Sequence, residues 1–183
     1  GWLSGAIIAD SKSGVSGAGR SLSLKTHFVE ANENVSPYNI GRVHRHLPEM
    51  EQELGEIGRS AGRPMTKGEW QIIFSPHLTP ISRGMLSTIY VTLPGEVDEA
   101  EVRARYAEMY ADEPLVYLLK PGQIATMGHT TNTNFCAIGL TFVPGSRTLI
   151  ITSSIDNLGK GASGAAVQNM NVMFGWPETL GLI

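Results

Sequence analysis

The stretch that decides the fold is residues 70–93, which read WQIIFSPHLTPISRGMLSTIYVTL. Its two ends, Trp70–Phe74 and Met85–Leu93, are rich in Ile, Val, Tyr and Thr, and this composition predicts two strands. The intervening SPHLTPISRG contains two prolines and a lone arginine, which predicts a loop. Strands joined by so short a connection favour an antiparallel or mixed sheet.

Further strands and three helices are expected around this pair. The other predicted strands are residues 5–9 (GAIIA), Leu115–Leu119, Phe135–Val143 and Thr148–Ser153. The predicted helices run from Pro48 to about Ser60, from Asp98 to Asp112 and from Asn157 to Phe174. The last helix is almost uncharged, so we expect it to be buried against something large. The interleaving predicts an α+β domain whose mostly antiparallel or mixed sheet is covered by helices.

Composition excludes several classes of protein. The 183 residues suit one domain, or at most two small ones, and a net charge of −3 is too balanced for an electrostatic nucleic-acid binder. One cysteine excludes a disulfide framework and a multi-cysteine zinc site within the chain. No apolar run approaches the roughly 18–20 residues of a membrane span, and no signal peptide is recognisable. We therefore expect a cytoplasmic protein without a nucleic-acid or membrane partner.

The first candidate binding element is SKSGVSGAGR, residues 11–20, which follows the first predicted strand. We expect a loop from Asp10 to Arg20, in which clustered backbone N–H groups, serine hydroxyls and the charges of Lys12 and Arg20 can approach an anion. The segment matches neither nucleotide-binding glycine pattern. A tight connection without a ligand is the alternative.

The second candidate is VHRHLPEM, residues 43–50. If this segment is extended, His44 and His46 point to the same side. One histidine can then act in acid–base chemistry while the other is structural. Alternatively, both could bind a metal with Glu49, or neither has a ligand.

Two further residues have chemistry that the pattern leaves open. Arg83, in SRGM, can fork onto a carboxylate or phosphate, or lie at the surface. Cys136 lies in the apolar segment NFCAIGLTF, where a core role is favoured over a nucleophile because no base or helix N-terminus is adjacent.

Four segments together resemble one enzyme family. They are SGVSGAGR (13–20), PYNIGRVHRHLPEMEQEL (37–54), SPHLTPISRGM (75–85) and IDNLGKGASGAAVQNMNVMFGWPETLGL (155–182). In this order they resemble N-acetyl-gamma-glutamyl-phosphate reductase. The resemblance implies an NADPH-dependent enzyme of arginine biosynthesis that reduces an acyl phosphate to N-acetylglutamate 5-semialdehyde. It also implies a fold like the second domain of glyceraldehyde-3-phosphate and aspartate-semialdehyde dehydrogenases.

The resemblance divides the chain in two. Residues 1–153 would form the substrate-binding and dimerisation domain, and residues 154–183 a C-terminal helix and tail packed on an NADP-binding domain. The family's nucleotide loop and nucleophilic cysteine segment are expected upstream of Gly1, so the chain alone should lack activity. Leu47 and Met50 depart from the Thr and Ile that the family often has there. The family implies a homodimer or homotetramer.

The resemblance also implies roles for individual residues. His44, the first histidine of HRH, would be the acid–base residue, and Asn171 would reach the nicotinamide of NADP. The anion contacts for the acyl-phosphate substrate would be Ser13, Ser16, Arg20 and Arg83. No metal is implied. The alternatives are a sister acyl-phosphate reductase of lysine biosynthesis and a dimerisation module without catalytic function.

Overall fold

The computed structural model describes residues 3–62, 70–95 and 97–183. In these ranges seven strands form a single sheet with the order β2-β3-β1-β4-β7-β6-β5. The strands are β1 (Ser4–Gly14), β2 (Ser36–Pro37), β3 (Trp70–Thr79), β4 (Met85–Thr92), β5 (Val116–Leu118), β6 (Cys136–Phe142) and β7 (Thr148–Ile155). β1 and β3 are parallel, as are β5 and β6, and the other pairs are antiparallel. The expected mixed α+β sheet is confirmed.

The helices of the described chain are α1 (Phe28–Ala31), α2 (Leu47–Ser60), α3 (Glu99–Met109) and α4 (Gly164–Met173). α2 has Pro48 in its first turn, where the missing N–H costs nothing. α3 is capped by Asp98, whose side chain accepts a hydrogen bond of 3.2 Å from the backbone N of Ala100. Both helices were predicted. The third predicted helix begins as a wider π-helical turn, Gly159–Ser163, and becomes α-helical only at Gly164.

β1 is longer than its sequence predicts. The loop expected from Asp10 begins only after Gly14, because β1 pairs with β3 on one side and β4 on the other. Ser11 and Ser13 are only 5% and 7% exposed, and Ser11 Oγ lies 2.7 Å from Ser87 Oγ on β4. Small polar side chains that bond to neighbouring groups can therefore continue a buried strand.

β3 also extends beyond its prediction. The strand includes the SPHLT part of the predicted loop and ends at Thr79, so the loop is reduced to residues 80–84. Pro76 is buried within β3. A proline is tolerated near a sheet edge, and only the two-residue β2 lies outside β3.

The two faces of the sheet differ. One face packs against α3 in a core that consists of Ile7, Val91, Leu93, Val102, Ile138, Leu140 and Leu149. On the other face Ile8, Ile73 and Tyr90 are each about 40% exposed. Across residues 3–62, 70–95 and 97–183, no helix has the length and apolarity needed to cross a membrane.

The C-terminal segment is less buried than its sequence suggests. Gly164 and Asn171 are buried, but Val172, Met173 and Phe174 are 60%, 82% and 66% exposed. The described residues of this chain therefore do not provide the large body against which we expect the helix to pack. β7 continues to Ile155, so the expected boundary after residue 153 falls inside a strand.

Candidate functional site

The candidate site lies where the ends of three adjacent inner strands, β1, β4 and β7, meet. This end of the sheet is called the edge below. Register places Met85, the first residue of β4, opposite both Ser13 near the end of β1 and Ile155 at the end of β7. The connections after β1, before β4 and after β7 therefore converge. The backbone N of Gly14 donates to Gly84 O over 2.9 Å, which joins two of these connections directly.

Asp156, the first residue after β7, is the buried centre of this edge. Its side chain has no solvent exposure and carries an ion pair with Arg83, whose Nε lies 2.7 Å from Oδ2. Arg83 Nη2 donates to Oδ1 over 3.0 Å. Backbone N–H groups of Asn132, Leu158 and Gly159 also donate to the carboxylate, over 2.6, 2.9 and 3.1 Å.

These donors keep Asp156 ionised. Burial acts to raise the pKa of Asp156, but the hydrogen bonds from Arg83 and from the backbone outweigh it and lower the pKa below its ordinary value. A buried carboxylate that accepts four hydrogen bonds and forms an ion pair with Arg83 Nε is thus a fixed negative charge that orients the Arg83 guanidinium.

Asn157, the next residue, holds two of the connections together. Its Oδ1 accepts a hydrogen bond of 2.7 Å from the backbone N of Gly84, and its Nδ2 donates to Ser16 Oγ over 2.9 Å. The side chain is only 7% exposed. Asn157 therefore links the connection after β1 to the connection before β4.

The four predicted anion contacts have different surroundings. Ser16 and Arg20 line an open cavity of about 870 Å³, and Arg20 is exposed. Arg83 is bound to Asp156 with its side chain one-third exposed. Ser13 is buried in β1, and its hydroxyl donates to Gly14 O over 3.3 Å. The structure thus brings Ser16 and Arg83 together through Asp156 and Asn157, while Ser13 supports the strand below them.

Gly17 lies close to two other side chains of the site. A Cβ at this position would lie 2.7 Å from Ser13 Oγ and 3.6 Å from Asn157 Nδ2. The first distance is too short for both atoms to stay in place, so a side chain at position 17 would force the Ser13 hydroxyl to move.

His44 lies in a second cluster, and its geometry differs from the prediction. The segment around it is a turn before α2 rather than an extended strand end, because Gly41 and Arg42 both have positive φ, of 77° and 69°. The His44 ring contacts Tyr38, His46 and Phe74, with centroid distances of 5.7, 5.2 and 5.0 Å. None of these three ring contacts involves the segment 11–20.

The turn determines the protonation of His44. The backbone N of His46 donates to His44 Nδ1 over 3.3 Å, so Nδ1 is an acceptor and the neutral ring carries its proton on Nε2. Burial, and then the charges of His46 and Arg45, lower the pKa of His44. The ring therefore presents a neutral Nε2–H donor.

Asn171 is buried and bonded to the C-terminal tail. It is 1% exposed, and its Nδ2 donates to the carbonyl oxygens of Glu178 and Leu180, each over 3.0 Å. In this chain the side chain fixes the C-terminal tail to α4. The contact with the nicotinamide that the resemblance implies stays a prediction.

The remaining candidates have structural surroundings. Within the described ranges no three His, Cys, Asp or Glu side chains converge as a metal would require, so His44, His46 and Glu49 do not form such a group. Burial raises the pKa of Cys136, with a smaller opposing effect from Ser153 and Lys160. A thiol in this environment is a core residue rather than a nucleophile.

Sequence reasoning missed Asp156 and Asn157 as residues of the candidate site. The signal was a polar Asp-Asn pair at the start of the predicted glycine-rich helix, shortly after a predicted strand, in the sequence IDNLGKG. It also missed the aromatic partners of His44. Phe74 is 30 positions away and gives no local pattern, and Tyr38, only six positions away, meets His44 through the turn between them.

Comparison with known proteins gives close relatives. The N-acetyl-gamma-glutamyl-phosphate reductase of Geobacter metallireducens is 50% identical over 176 residues, which cover 96% of this chain and 49% of that protein. The reductase of the same name from Desulforudis audaxviator is 49% identical over 179 residues, with coverage of 98% and 49%. The chain thus spans about half the length of these curated relatives.

Solved structures are similar in fold. Aspartate semialdehyde dehydrogenase II of Vibrio cholerae, complexed with ASA, matches with a TM-score of 0.65 at 15% identity, over 92% of this chain and 54% of that one. The enzyme of Francisella tularensis matches with a TM-score of 0.64 at 13% identity, with coverage of 93% and 58%. The expected fold is confirmed. Residues 1–157 match the family model described as semialdehyde dehydrogenase, dimerisation domain, and the chain belongs to that family.

Proposed function

We propose that this chain is the substrate-binding and dimerisation part of an N-acetyl-gamma-glutamyl-phosphate reductase. The reaction converts N-acetyl-gamma-glutamyl phosphate and NADPH into N-acetylglutamate 5-semialdehyde, phosphate and NADP⁺ in arginine biosynthesis. The observation that carries this proposal is the identity of about 50% with reductases of that name over 96–98% of the chain. The proposal extends to a cytoplasmic homodimer or homotetramer.

On the substrate side, the proposal assigns the phosphate or carboxylate to the edge formed by Ser16, Arg20 and Arg83. Two of these side chains have their orientation fixed by Asp156 and Asn157. A guanidinium bound to one carboxylate along one side can offer its remaining N–H groups to a second anion. Because this edge is built before substrate arrives, binding requires little ordering.

On the catalytic side, the proposal assigns proton donation to His44 Nε2–H. The resemblance implies a cysteine thiol, outside these 183 residues, that forms a thioester with the substrate and expels phosphate. NADPH would supply the hydride for its reduction and would be bound mainly outside this chain. A neutral imidazole with its proton on Nε2 can stabilise a nearby thiolate by hydrogen bonding and donate a proton to the hemithioacetal oxygen.

The test is a His44→Asn change in the complete reductase. Asn offers a carbonyl oxygen in place of Nδ1, so the turn bond from the His46 N–H is retained while Nε2 is removed. We expect turnover to fall by about 10²–10⁴-fold, measured by NADPH oxidation with N-acetyl-gamma-glutamyl phosphate.

His129→Asn is the matched control. His129 Nδ1 accepts from the backbone N of Thr126 over 3.0 Å, so the same substitution keeps the same kind of bond at a distant turn. Its turnover should be unchanged. An unaltered rate for His44→Asn would remove His44 from the mechanism, and a complete enzyme that ignores this substrate would refute the proposed function.

A further inference from the structure

The orientation of the Asn157 amide is fixed by a group that can only donate. The backbone N–H of Gly84 lies 2.7 Å from one terminal atom of Asn157, which must therefore be the oxygen. The other terminal atom, 2.9 Å from Ser16 Oγ, is then the NH₂ group. Asn157 is thus a donor toward Ser16.

This donor determines what the Ser16 hydroxyl can do. A hydroxyl has one O–H to donate and two lone pairs to accept with. The Asn157 amide occupies a lone pair, and across the described ranges it is the side-chain partner of Ser16 Oγ. The Ser16 proton is therefore left for a group in the cavity that Ser16 lines.

We propose that Asn157 is a positioning residue that makes the Ser16 hydroxyl a donor to the phosphate of the substrate. The inference rests on the proposed function for the identity of that phosphate. Asn157 acts through Ser16, and the hydrogen bond from the Gly84 N–H prevents the Asn157 amide from flipping.

Asp156, the residue before Asn157, likewise orients a hydrogen-bond donor. Asp156 fixes the guanidinium of Arg83, and Asn157 fixes the hydroxyl of Ser16. Two consecutive residues at the end of β7 therefore orient two donors that come from two other connections. A site that presents oriented donors suits an anion such as a phosphate.

An Asn157→Asp change in the complete reductase tests the inference. A carboxylate accepts from Gly84 as the amide oxygen does, so the connection before β4 keeps its partner. Its second oxygen cannot donate to Ser16 and instead accepts the Ser16 proton. We expect KM for N-acetyl-gamma-glutamyl phosphate to rise by about 10–100-fold through loss of this charge-assisted bond, with kcat changed much less.

A double-mutant cycle with Ser16→Ala separates this effect from the added negative charge. The charge is present in both backgrounds, whereas the hydroxyl is present in only one. We expect Asn157→Asp to raise KM at least threefold less in the Ser16→Ala background than in the unaltered enzyme. Gln52→Glu, which adds a charge on the exposed side of α2, should leave KM unchanged.

Equal effects of Asn157→Asp in the two backgrounds would overturn the inference. So would a Ser16→Ala enzyme whose KM is unchanged, a result that can be obtained even if Asn157→Asp does not fold. If the complete enzyme does not use the substrate, the proposed function fails on its own. Titration of the complete protein with inorganic phosphate, followed by NMR of the Ser16 amide, then tests the pair of Ser16 and Asn157. A phosphate-induced shift of the Ser16 amide signal that Asn157→Asp abolishes supports the inference, and the absence of such a shift overturns it.

Discussion

Removing the Arg83 side chain tests the energetic role of the buried carboxylate beneath it. Arg83→Ala would leave Asp156 ionised, without solvent exposure and without its only side-chain counter-charge among the contacts described. Breaking a buried ion pair on one side typically costs about 3–5 kcal/mol. Here three backbone N–H donors remain, so the loss should lie near the lower limit.

We therefore expect Arg83→Ala to lower the free energy of unfolding by about 3 kcal/mol at pH 7. For a chain of this size that corresponds to a decrease in Tm of about 6–12 °C. The assay is urea unfolding of the purified chain. Arg59→Ala is the control, because Arg59 pairs with Glu56 on α2 with both side chains more than half exposed, and should cost at most about 0.5 kcal/mol.

The pH dependence gives a second readout with a defined sign. In the unaltered protein the folded-state pKa of Asp156 is lowered, so its stabilisation is present above the unfolded pKa of about 3.9 and is lost as pH falls through the folded pKa. Without Arg83, burial acts against fewer donors and the folded pKa rises. For each unit by which the folded-state pKa of Asp156 in Arg83→Ala exceeds about 3.9, the difference in unfolding free energy between this variant and the unaltered protein should decrease by about 1.4 kcal/mol from pH 7 to pH 4. A loss no larger than that of Arg59→Ala, or a difference that does not narrow, would refute this reasoning.

Two further predictions concern local geometry. Neutral His44 should carry its proton on Nε2, and ¹⁵N NMR of the ring at a pH well above its pKa should detect this tautomer; a proton on Nδ1 would contradict the bond from the His46 turn. Gly139→Ala should lower the free energy of unfolding by about 1–3 kcal/mol, because its Cβ would lie 2.7 Å from Thr152 Oγ1 and 2.9 Å from the backbone O of Gln123. Gly55→Ala, inside α2, would place its Cβ in ordinary contact with Arg59 Nη1 at 3.7 Å and should be neutral or stabilising in the same urea assay; a similar loss for both variants would exclude the steric explanation.

The elements that local patterns predict well are those whose ends carry their own signals. α3 begins at the residue after Asp98, since an aspartate cap satisfies a helix N–H by itself. β1 has no such signal. Its last residues are Ser and Gly, which resemble a loop, and only pairing with β3 and β4 makes Ser11 and Ser13 part of a buried strand. That pairing depends on residues about 65 or more positions away, which local composition does not contain.

The same distinction applies to the site. The residue types of HRH predict proton chemistry, but the orientation of His44 depends on the positive φ of Arg42, a conformation that a non-glycine residue adopts only when its surroundings fix it. Here Arg42 is held by its Nη1, which donates to Ile72 O over 3.0 Å, and by an ion pair with Glu51. The roles of Asp156 and Asn157 likewise became visible only when register placed the end of β7 beside the start of β4.

The buried ion pair at this edge is better explained by geometry than by stability. Replacing a buried ion pair with apolar residues of similar volume is often neutral or stabilising. Net folding free energy therefore does not explain why Asp156 and Arg83 occupy these positions. What an apolar pair cannot do is hold a guanidinium in one orientation with part of it at the surface, where Arg83 is one-third exposed. Because β4 runs antiparallel between β1 and β7, the carboxylate that fixes the guanidinium and the amide that fixes the Ser16 hydroxyl come from one strand end. The sheet order therefore determines which donors the proposed anion would meet at this edge.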